Sequence, residues 1–316
     1  APTMPCAKGG GSRPWCVSGR RMADPQPFAG TLVQALRPHH WVKNLLVFVP
    51  ILAAHRWTEP ALWAAAALAF AAFCLCSSAV YLTNDLMDVQ DDRAHPVKRH
   101  RPLASRRLSP GQAVGLAAVL ALPGLGLALV AGVATVLAVY ALGSLAYSAR
   151  LKTLPGIDIA GLVGLYSLRL LAGGEATGIA VSGWLLGYGA CVFTSLALAK
   201  RAAELGGVAA GTLPLPQRRG YRLPHRRRLV ALGLLAALAS AAVLLVYLTD
   251  ASARGLYAQP GWLMLAGGVV LVWLGHVWRL VGQGRLHSDP IVFALKDPAS
   301  LTAGCVVLVL FAVAAG

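Results

Sequence analysis

The stretch ALWAAAALAFAAFCLCSSAVYLTNDLMDVQDD, residues 61–92, decides the fold, because in it a long apolar run ends in clustered carboxylates. Residues 61–83 carry no charged side chain and are long enough to cross a membrane as a helix. The string N-D-x-x-D-x-x-x-D begins directly after this run and places four of the chain's 12 acidic residues within eight positions. These four are Asp85, Asp88, Asp91 and Asp92. Carboxylates clustered at a membrane surface predict a cation partner.

The spacing of these aspartates predicts a magnesium site. In a helix, Asp85, Asp88 and Asp92 fall on one face, within an arc of about 60°. Mg²⁺ prefers hard oxygen ligands and is usually shared between one or two carboxylates and a substrate's phosphates. We therefore predict Asp85 and Asp88 as metal ligands, assisted by Asn84. Asp92 would lie about 10 Å from Asp85 along a straight helix axis, so it is predicted to act through water or to orient the substrate.

Basic side chains follow the aspartates immediately and favour a phosphate-bearing ligand. We predict that Lys98 and Arg101 neutralise the charge of a leaving diphosphate. The alternative is a solvated acidic helix end followed by a basic loop that only sets membrane topology. The other cations of this segment are Arg93, Arg99, Arg106 and Arg107.

The composition predicts an all-α, polytopic membrane protein. Hydrophobic residues make up 57% of the 316 residues, charged residues only 13%, and the mean hydropathy is +0.64. These values are too apolar for a soluble domain of this length. Apolar runs predict about nine transmembrane helices, at 42–55, 61–83, 113–131, 133–149, 156–174, 183–199, 229–249, 261–281 and 300–316.

The distribution of Lys and Arg predicts the orientation in the plasma (inner) membrane. Of the 28 basic residues, 25 fall in the N-terminal segment 1–43 and in alternate connections between the apolar runs. Because positive loops stay cytoplasmic, we expect the N terminus and the candidate site inside and the C terminus outside. The net charge of +16 is explained by these loops and by anionic lipid or substrate, so no nucleic-acid partner is predicted.

Residues 1–35 are predicted to form a disordered or weakly ordered tail before a catalytic membrane domain at 36–316. Glycine, proline and scattered arginine at 1–27 offer neither an apolar core nor a signal peptide, and Met22 is the expected native start. Gly161 and Gly164 allow close helix packing within one chain or between copies of a homo-oligomer. The six cysteines show no spacing that predicts a disulfide or a zinc site.

Other polar residues lie where the membrane disfavours them. Arg37, Lys43 and Asn44 stand at the entry of the first apolar run, either as a cationic collar for a lipid phosphate or as an ordinary interfacial anchor around Trp41. Asp158, Tyr166 and Arg169 share about one helix face. Arg169 lies deep in its span, which favours either a role in the site or a structural pairing with an aspartate or a carbonyl. The remaining candidates for substrate binding are Tyr147, Lys152, Lys200, Arg201 and Glu204, with Lys200 and Glu204 spaced as a helix-end ion pair.

Several of these segments resemble the UbiA superfamily of intramembrane prenyltransferases. The match starts with N-D-x-x-D-x-x-x-D, continues with H-P-V-K-R-H-R-P and Y-S-A-R-L-K, and covers about Leu36 to the C terminus. The resemblance implies nine helices around a central cavity open to the cytoplasmic side. Most members have a second aspartate-rich motif after the sixth helix, where this chain has only Glu204. Further segments are similar to the decaprenyl-phosphate phosphoribosyltransferase branch: L-R-P-H-H-W-V-K-N, D-I-A-G-L-V-G-L-Y-S-L-R, L-A-L-A-K-R-A-A-E-L and D-P-I-V-F-A-L-K-D.

That branch implies Mg²⁺-dependent transfer of 5-phosphoribose from phosphoribosyl diphosphate to a polyprenyl phosphate, for cell-envelope glycan. In this interpretation Tyr147 and Lys152 contact the donor phosphates, and Arg37, Lys43 and Lys200 hold the acceptor phosphate. Asp158 and Arg169 would line the cavity and orient the donor. Two alternatives remain: a prenyltransferase acting on an aromatic or small alcohol acceptor, and a transporter with Arg169 on its permeation path.

Overall fold

The computed structural model describes residues 28–94, 97–212, 220–250, 255–286 and 289–315, and every regular element in these ranges is helical. The expected tail at 1–27, with Met22, lies outside the described residues. The α-helices that lie wholly within these ranges are α1 (Phe28–Leu36), α2 (Val49–Ala53), α3 (Pro60–Met87), α4 (Val89–Ala94), α5 (Pro110–Val130), α6 (Ala134–Ala149), α7 (Ile157–Thr177), α8 (Gly183–Ala209), α9 (His225–Thr249), α10 (Gly261–Gly282), α11 (Pro290–Ala294) and α12 (Pro298–Ala315).

The prediction of an all-helical membrane protein is confirmed. Within the described ranges, six helices are long and apolar enough to span a membrane: α3, α5, α7, α9, α10 and α12. Helix α6 is apolar but has only 16 residues, and α8 continues ten residues beyond the predicted end at 199. The count of nine spans therefore stays a prediction.

The first predicted span is not a continuous α-helix. Residues Pro38–Phe48 form a 3₁₀ helix, and α2 continues it for five residues. A 3₁₀ run of 11 residues is uncommon, since its hydrogen bonds are poorer than those of an α-helix, and such runs often mark functional segments. We call Pro38–Phe48 the entry segment.

Helix α1 lies inside the range predicted to be a weakly ordered tail. Its residues Thr31 and Ala35 are buried, and Ala35 packs with Leu82 of α3 in one apolar cluster. Residues 28–35 therefore pack against α3, and the boundary at residue 36 stays a prediction.

Helices α3 and α5 pack closely along their length. Ser109 caps α5 by accepting a hydrogen bond from Gln112 N, and the Gln112 side chain accepts one from Ser109 N. Gly124 allows the contact, because a Cβ atom there would lie 3.2 Å from Leu75 Cβ on α3. This packing holds α3, which carries the aspartates, against its neighbour.

The aspartate string does not lie on one straight helix. Helix α3 ends at Met87, and Asp88 has φ −99° and ψ 8°, outside the regular α conformation. Asp91 and Asp92 belong to the separate helix α4. The aspartates therefore occupy a bend, and the expected separation of Asp85 and Asp92 along a straight axis does not apply.

Successive long helices run in opposite directions, so their termini lie at two opposite ends of the bundle. The end that holds the C terminus of α3, the N terminus of α7 and the C terminus of α8 carries most candidate residues, and we call it the aspartate end. The other end holds the C terminus of α7, after which Gly178 reverses the chain with φ 66°. Ser182 then caps α8 by accepting a hydrogen bond from Leu185 N.

Candidate functional site

Asp85 lies at the centre of a group of charged residues at the aspartate end. The residue is 4% exposed, and the guanidinium of Arg37 contacts both carboxylate oxygens, with Nη2 2.6 Å from Oδ1. Arg101 Nη1 donates to the same Oδ1 at 3.0 Å. Two arginines from segments far apart in the chain thus converge on one buried carboxylate.

The other two predicted metal-binding aspartates join the same group. Arg101 Nη1 also lies 2.6 Å from Asp92 Oδ2, so one nitrogen atom bridges Asp85 and Asp92. Lys152 Nζ donates to Asp88 Oδ2 at 2.9 Å. The predicted proximity of Lys152 to the aspartates is therefore present, although 64 positions separate it from Asp88. We call this group the aspartate cluster: Asp85, Asp88, Asp92, Arg37, Arg101 and Lys152.

Lys98 lies near this cluster on a short 3₁₀ turn, Lys98–His100. Burial and the charge of Arg101 lower the pKa of Lys98, while the charges of Asp92 and Asp88 act in the opposite direction. An added anion beside Lys98 would therefore favour its charged form.

The local sequence explains how Arg37 reaches Asp85. Arg37 precedes Pro38, which disfavours the right-handed α conformation, and it has φ 54° and ψ 56° in the left-handed region. Ser78 Oγ of α3 donates to Leu36 O at 2.8 Å and accepts from Trp41 Nε1 at 3.0 Å. These two bonds fix the entry segment to α3 on both sides of Arg37. A strained non-glycine residue held in this way is typical of a functional site.

The aspartate cluster fits a magnesium ion that is shared with a phosphate ligand. Asn84 Oδ1 is buried and has no hydrogen-bond partner among the described residues, so a hard oxygen ligand stands beside Asp85. Within the same part of the chain, no three acidic, histidine or cysteine side chains form a metal site by themselves. Because Mg²⁺ usually takes one or two carboxylates together with substrate phosphates, this oxygen set suits a diphosphate complex rather than a free ion.

A second charged group surrounds Asp289, which the sequence analysis did not single out. Asp289 Oδ2 accepts from Lys43 Nζ at 2.7 Å and from Lys200 Nζ at 2.9 Å. Its Oδ1 accepts from Ile291 N and so caps α11. We call Lys43, Lys200 and Asp289 the lysine cluster. For Lys200 the sequence left open a helix-end pair with Glu204 or a role in substrate binding, and in the structure its Nζ contacts Asp289.

The two lysines determine the charge state of Asp289. Burial alone would raise the pKa of this carboxyl, but the charges of Lys200 and Lys43 outweigh burial and hold the pKa well below its usual range. Asp289 is therefore ionised at neutral pH. One carboxylate facing two ammonium groups leaves the lysine cluster with an excess positive charge.

Arg37 and Lys43 were expected to hold one phosphate together, but the structure assigns them to different groups. Arg37 contacts Asp85, whereas Lys43 contacts Asp289 and lies 5.8 Å from the centre of the Tyr166 ring. The entry segment thus contacts the lysine cluster through Lys43, and the residue directly before it, Arg37, belongs to the aspartate cluster.

Arg169 forms structural contacts inside the bundle, which is the second of the two interpretations that its depth in the span favoured. It is 4% exposed, and its Nε donates to Asn44 Oδ1 at 2.8 Å while Nη2 donates to Tyr140 OH at 2.9 Å. Its third nitrogen donates to the backbone carbonyl of Leu165. These bonds join the entry segment to α6 and α7. Arg169 and Asn44 therefore hold together the segments that form the site.

Asp158 was expected to orient the substrate, but it is wholly buried in a network around Arg201. Arg201 Nε donates to Asp158 Oδ2 at 2.8 Å, and Tyr221 OH donates to the other oxygen. Arg201 also binds Glu204 at 2.9 Å and Tyr147 OH at 2.6 Å. Since Asp158 is 0% and Arg201 1% exposed, neither reaches a substrate without rearrangement. Tyr147 thus binds Arg201 through the hydroxyl expected to contact a donor phosphate.

An apolar cavity of about 840 Å³ lies at the other end of the bundle. None of the predicted site residues lines it, so it is not the central cavity open to the aspartate end that the resemblance implied. Its wall comes from α2, the N-terminal half of α8, the C-terminal half of α9 and parts of α10 and α12. Aromatic side chains in the wall are Trp57, Trp184, Tyr188, Tyr247, Tyr257 and Phe311.

Comparison with known sequences identifies relatives over most of the chain. The sequence model of the UbiA prenyltransferase family matches residues 45–314. Nodulation protein NoeC of Azorhizobium caulinodans is 36% identical over 86% of this chain and 89% of its own length. Decaprenyl-phosphate phosphoribosyltransferase of Corynebacterium glutamicum is 39% identical over 59% of this chain and 58% of its own length. An uncharacterised protein of Sinorhizobium fredii, y4nM, is 36% identical over 88% of this chain, which spans about half of that relative, 55%.

Solved structures share the fold at low sequence identity. A UbiA homologue from Archaeoglobus fulgidus bound to GPP and Mg²⁺ has a TM-score of 0.67 at 14% identity, covering 90% of this chain and 100% of its own. A structure of digeranylgeranylglyceryl phosphate synthase has a TM-score of 0.62 at 14% identity, covering 91% and 98%. These matches support the helical architecture described above.

Proposed function

Because this chain belongs to the UbiA prenyltransferase family, a family of membrane-embedded transferases, we propose that it transfers 5-phosphoribose from phosphoribosyl diphosphate to a polyprenyl phosphate. Both substrates are anions, and the reaction releases diphosphate. The product is a lipid-linked pentose phosphate, suited to the assembly of cell-envelope glycan. The identity to decaprenyl-phosphate phosphoribosyltransferase from Corynebacterium glutamicum supports this choice of substrates.

The observation that carries the proposal is the presence of two separate groups of charged residues at one end of the bundle, each of which contains cationic side chains. The aspartate cluster supplies Arg37, Arg101 and Lys152 for one anionic ligand, and the lysine cluster supplies Lys43 and Lys200 for another. A neutral aromatic acceptor would need only the first group. Two anionic substrates, a diphosphate donor and a phosphate acceptor, account for both.

The network around Arg201 also favours a ribosyl donor. Most UbiA prenyltransferases are expected to hold a second set of metal ligands after the sixth helix, and here the acidic residues near that position are Glu204 and Asp158. Arg201 contacts both of them. In this part of the site one arginine therefore engages both carboxylates, so they do not form a second group of metal ligands.

In the proposed reaction, the bond between the anomeric carbon and the diphosphate oxygen breaks, and the diphosphate leaves with the electron pair. Arg101, Lys98 and Lys152 stabilise the charge that develops on the leaving oxygens. The acceptor phosphate, held by Lys43 and Lys200, supplies the electron pair of the new carbon–oxygen bond from the opposite face, so the anomeric configuration inverts. The acceptor is already anionic, and no general base is required.

Mg²⁺ is part of the proposal because the oxygen ligands fit it. Asp85 and Asp88 would hold the ion with Asn84 beside them, and Asp92 would orient Arg101 toward the same diphosphate. When bound, the metal would neutralise part of the diphosphate charge that grows as the bond breaks. The related archaeal structure with GPP and Mg²⁺ supports a divalent metal in this fold.

A second candidate function is prenyl transfer from an isoprenyl diphosphate to an aromatic or small alcohol acceptor. The family description and the archaeal homologue bound to GPP favour it. An assay with three arms separates the candidates: labelled phosphoribosyl diphosphate with polyprenyl phosphate, labelled prenyl diphosphate with an aromatic acceptor, and uptake into proteoliposomes. Lipid-soluble product in the first arm alone supports the proposal. Product in the second arm alone contradicts the proposal. Uptake of an unmodified labelled substrate into proteoliposomes, with no product in the other two arms, would identify a transporter.

A further inference from the structure

Three polar side chains lie at intervals of three residues at the start of the entry segment: Arg37, which directly precedes it, His40 and Lys43. A 3₁₀ helix has three residues per turn, so His40 and Lys43 lie on one face, and Arg37 immediately precedes it. Arg37 reaches Asp85 of the aspartate cluster, and Lys43 reaches Asp289 of the lysine cluster. His40 therefore stands between the two groups that we assign to the donor and the acceptor.

Helix α3 confirms this placement of His40. The His40 ring lies 5.2 Å from the ring of Tyr81, and the Arg37 guanidinium lies 5.3 Å from the same ring. Tyr81 is one helical turn before Asp85 on α3. His40 thus packs directly beside the aspartate cluster, whereas its neighbour His39 is exposed.

The Nδ1 atom of His40 is buried and has no hydrogen-bond partner within the described part of the chain. Leaving a buried polar atom without a partner is costly, and such atoms in native proteins usually await a ligand or a bound water. Two further such atoms at the aspartate end are Asn84 Oδ1 and Arg226 Nε. Asn84 directly precedes Asp85 in the chain, and His40 packs against Tyr81, one helical turn before Asp85. His40 Nδ1 and Asn84 Oδ1 therefore belong to one small region around Asp85.

The charge state of His40 indicates what kind of ligand atom it suits. Burial, together with the positive charge of Lys43, lowers the pKa of His40 to about 3, so the imidazole is neutral at physiological pH. A neutral imidazole offers one donor and one acceptor nitrogen and adds no charge for a phosphate. A hydroxyl group, which both donates and accepts, is its natural partner. Neighbouring arginines and lysines already serve the phosphates.

We propose that His40 Nδ1 forms a hydrogen bond with a ribose hydroxyl of the donor, and that His40 thereby helps select a sugar diphosphate over a prenyl diphosphate. This inference rests on the proposed function, since it assigns the donor to the aspartate cluster. A prenyl chain has no hydroxyl, so it would leave Nδ1 without a partner. Sites built to bind a hydroxyl reject analogues that lack it, because the buried polar group then stays unpaired.

The test compares binding of two ligands, phosphoribosyl diphosphate and inorganic diphosphate, each with Mg²⁺, by calorimetry on purified full-length protein. His40→Phe keeps a ring against Tyr81 but removes both nitrogens. We expect it to bind phosphoribosyl diphosphate about tenfold more weakly, which is the loss of one hydrogen bond, and inorganic diphosphate as well as the wild type does. His39→Phe, the same change at the exposed neighbour, should alter neither affinity.

Further variants separate recognition from folding. His40→Asn keeps a hydrogen-bonding atom near the position of Nδ1 and should recover most of the lost affinity with an unchanged Tm. Equal weakening of both ligands in His40→Phe, or no weakening of either, would overturn the inference. Wild-type protein that binds inorganic diphosphate but gains no affinity from the ribose would instead contradict the proposed function itself.

Discussion

Lys43 and Asp289 lie 246 positions apart in the chain, and they form an ion pair of 2.7 Å between the entry segment and the start of α11. Lys200 of α8 joins the same carboxylate oxygen at 2.9 Å. Three distant segments therefore meet at one buried group. Because two ammonium groups share one carboxylate, the group keeps positive charge available for an anionic substrate.

Asp289→Asn is expected to lower the free energy of unfolding by about 3–5 kcal/mol, because it leaves two largely buried ammonium groups facing a neutral amide. Reversible unfolding in detergent micelles would measure the loss. Lys43→Met combined with Asp289→Asn should cost less than the two single changes added together, since it removes one of the uncompensated charges. Strict additivity would show that the two residues are not coupled.

The ion pair should depend on pH in one direction. The folded-state pKa of Asp289 is held below its usual value, so its contribution is fully present above the unfolded value of about 3.9 and is lost as pH falls through the folded value. The stability difference between wild type and Asp289→Asn should therefore stay constant from about pH 8 to pH 5 and shrink only below about pH 4. A difference that disappears between pH 7 and pH 5 would contradict this assignment.

Arg201 and Arg56 offer a matched comparison of a buried and an exposed ion pair. Arg201→Met leaves the wholly buried carboxylate of Asp158 without its counter-charge and should cost about 3–5 kcal/mol of unfolding free energy. Arg56→Met removes an exposed pair with Glu59 and should change the free energy of unfolding far less, because solvent screens that pair. Thermal unfolding of both variants measures the contrast. Similar Tm values would show that the Arg201 network does not hold the helices together.

The sequence predicted the place of the aspartates and the position of most helices. Apolar runs of spanning length define α3, α5 to α7, α9 and α10 within a few residues, because burial in lipid leaves a strong compositional pattern. The same runs could not show that the entry segment is a 3₁₀ helix, because an apolar run of this length is compatible with either type of helix. They also could not reveal the bend at Asp88, because no proline or glycine marks it.

The partners of the charged residues were less predictable. Lys152 and Asp88 are 64 positions apart, and Asp158 and Arg201 are 43 apart, so spacing within one helix gives no information about these contacts. Asp289 was missed although it is one of only 12 acidic residues and precedes a proline-initiated helix. In so apolar a chain, each acidic residue next to a span is a candidate for a buried pair.

The predicted orientation can be checked with single cysteines in a background without the native ones. Thr58 and Ser105 are exposed residues in the connections at the two ends of α3. We expect Thr58→Cys to react with a membrane-impermeant maleimide from outside the cell and Ser105→Cys only after the membrane is opened, because the basic connections stay cytoplasmic. The reverse pattern would place the aspartate end outside.

The most direct test of the central claim is transfer of label from phosphoribosyl diphosphate into the organic phase, using purified protein with Mg²⁺ and a polyprenyl phosphate. We predict lipid-soluble product with wild type and with Asp91→Asn, which changes an exposed aspartate outside the aspartate cluster. Asp85→Asn, Asp88→Asn or a chelator should each abolish the product. Undiminished transfer in both of these variants would contradict the assigned metal site. No transfer from wild type with several polyprenyl phosphates, together with turnover of a prenyl diphosphate, would contradict the proposed reaction.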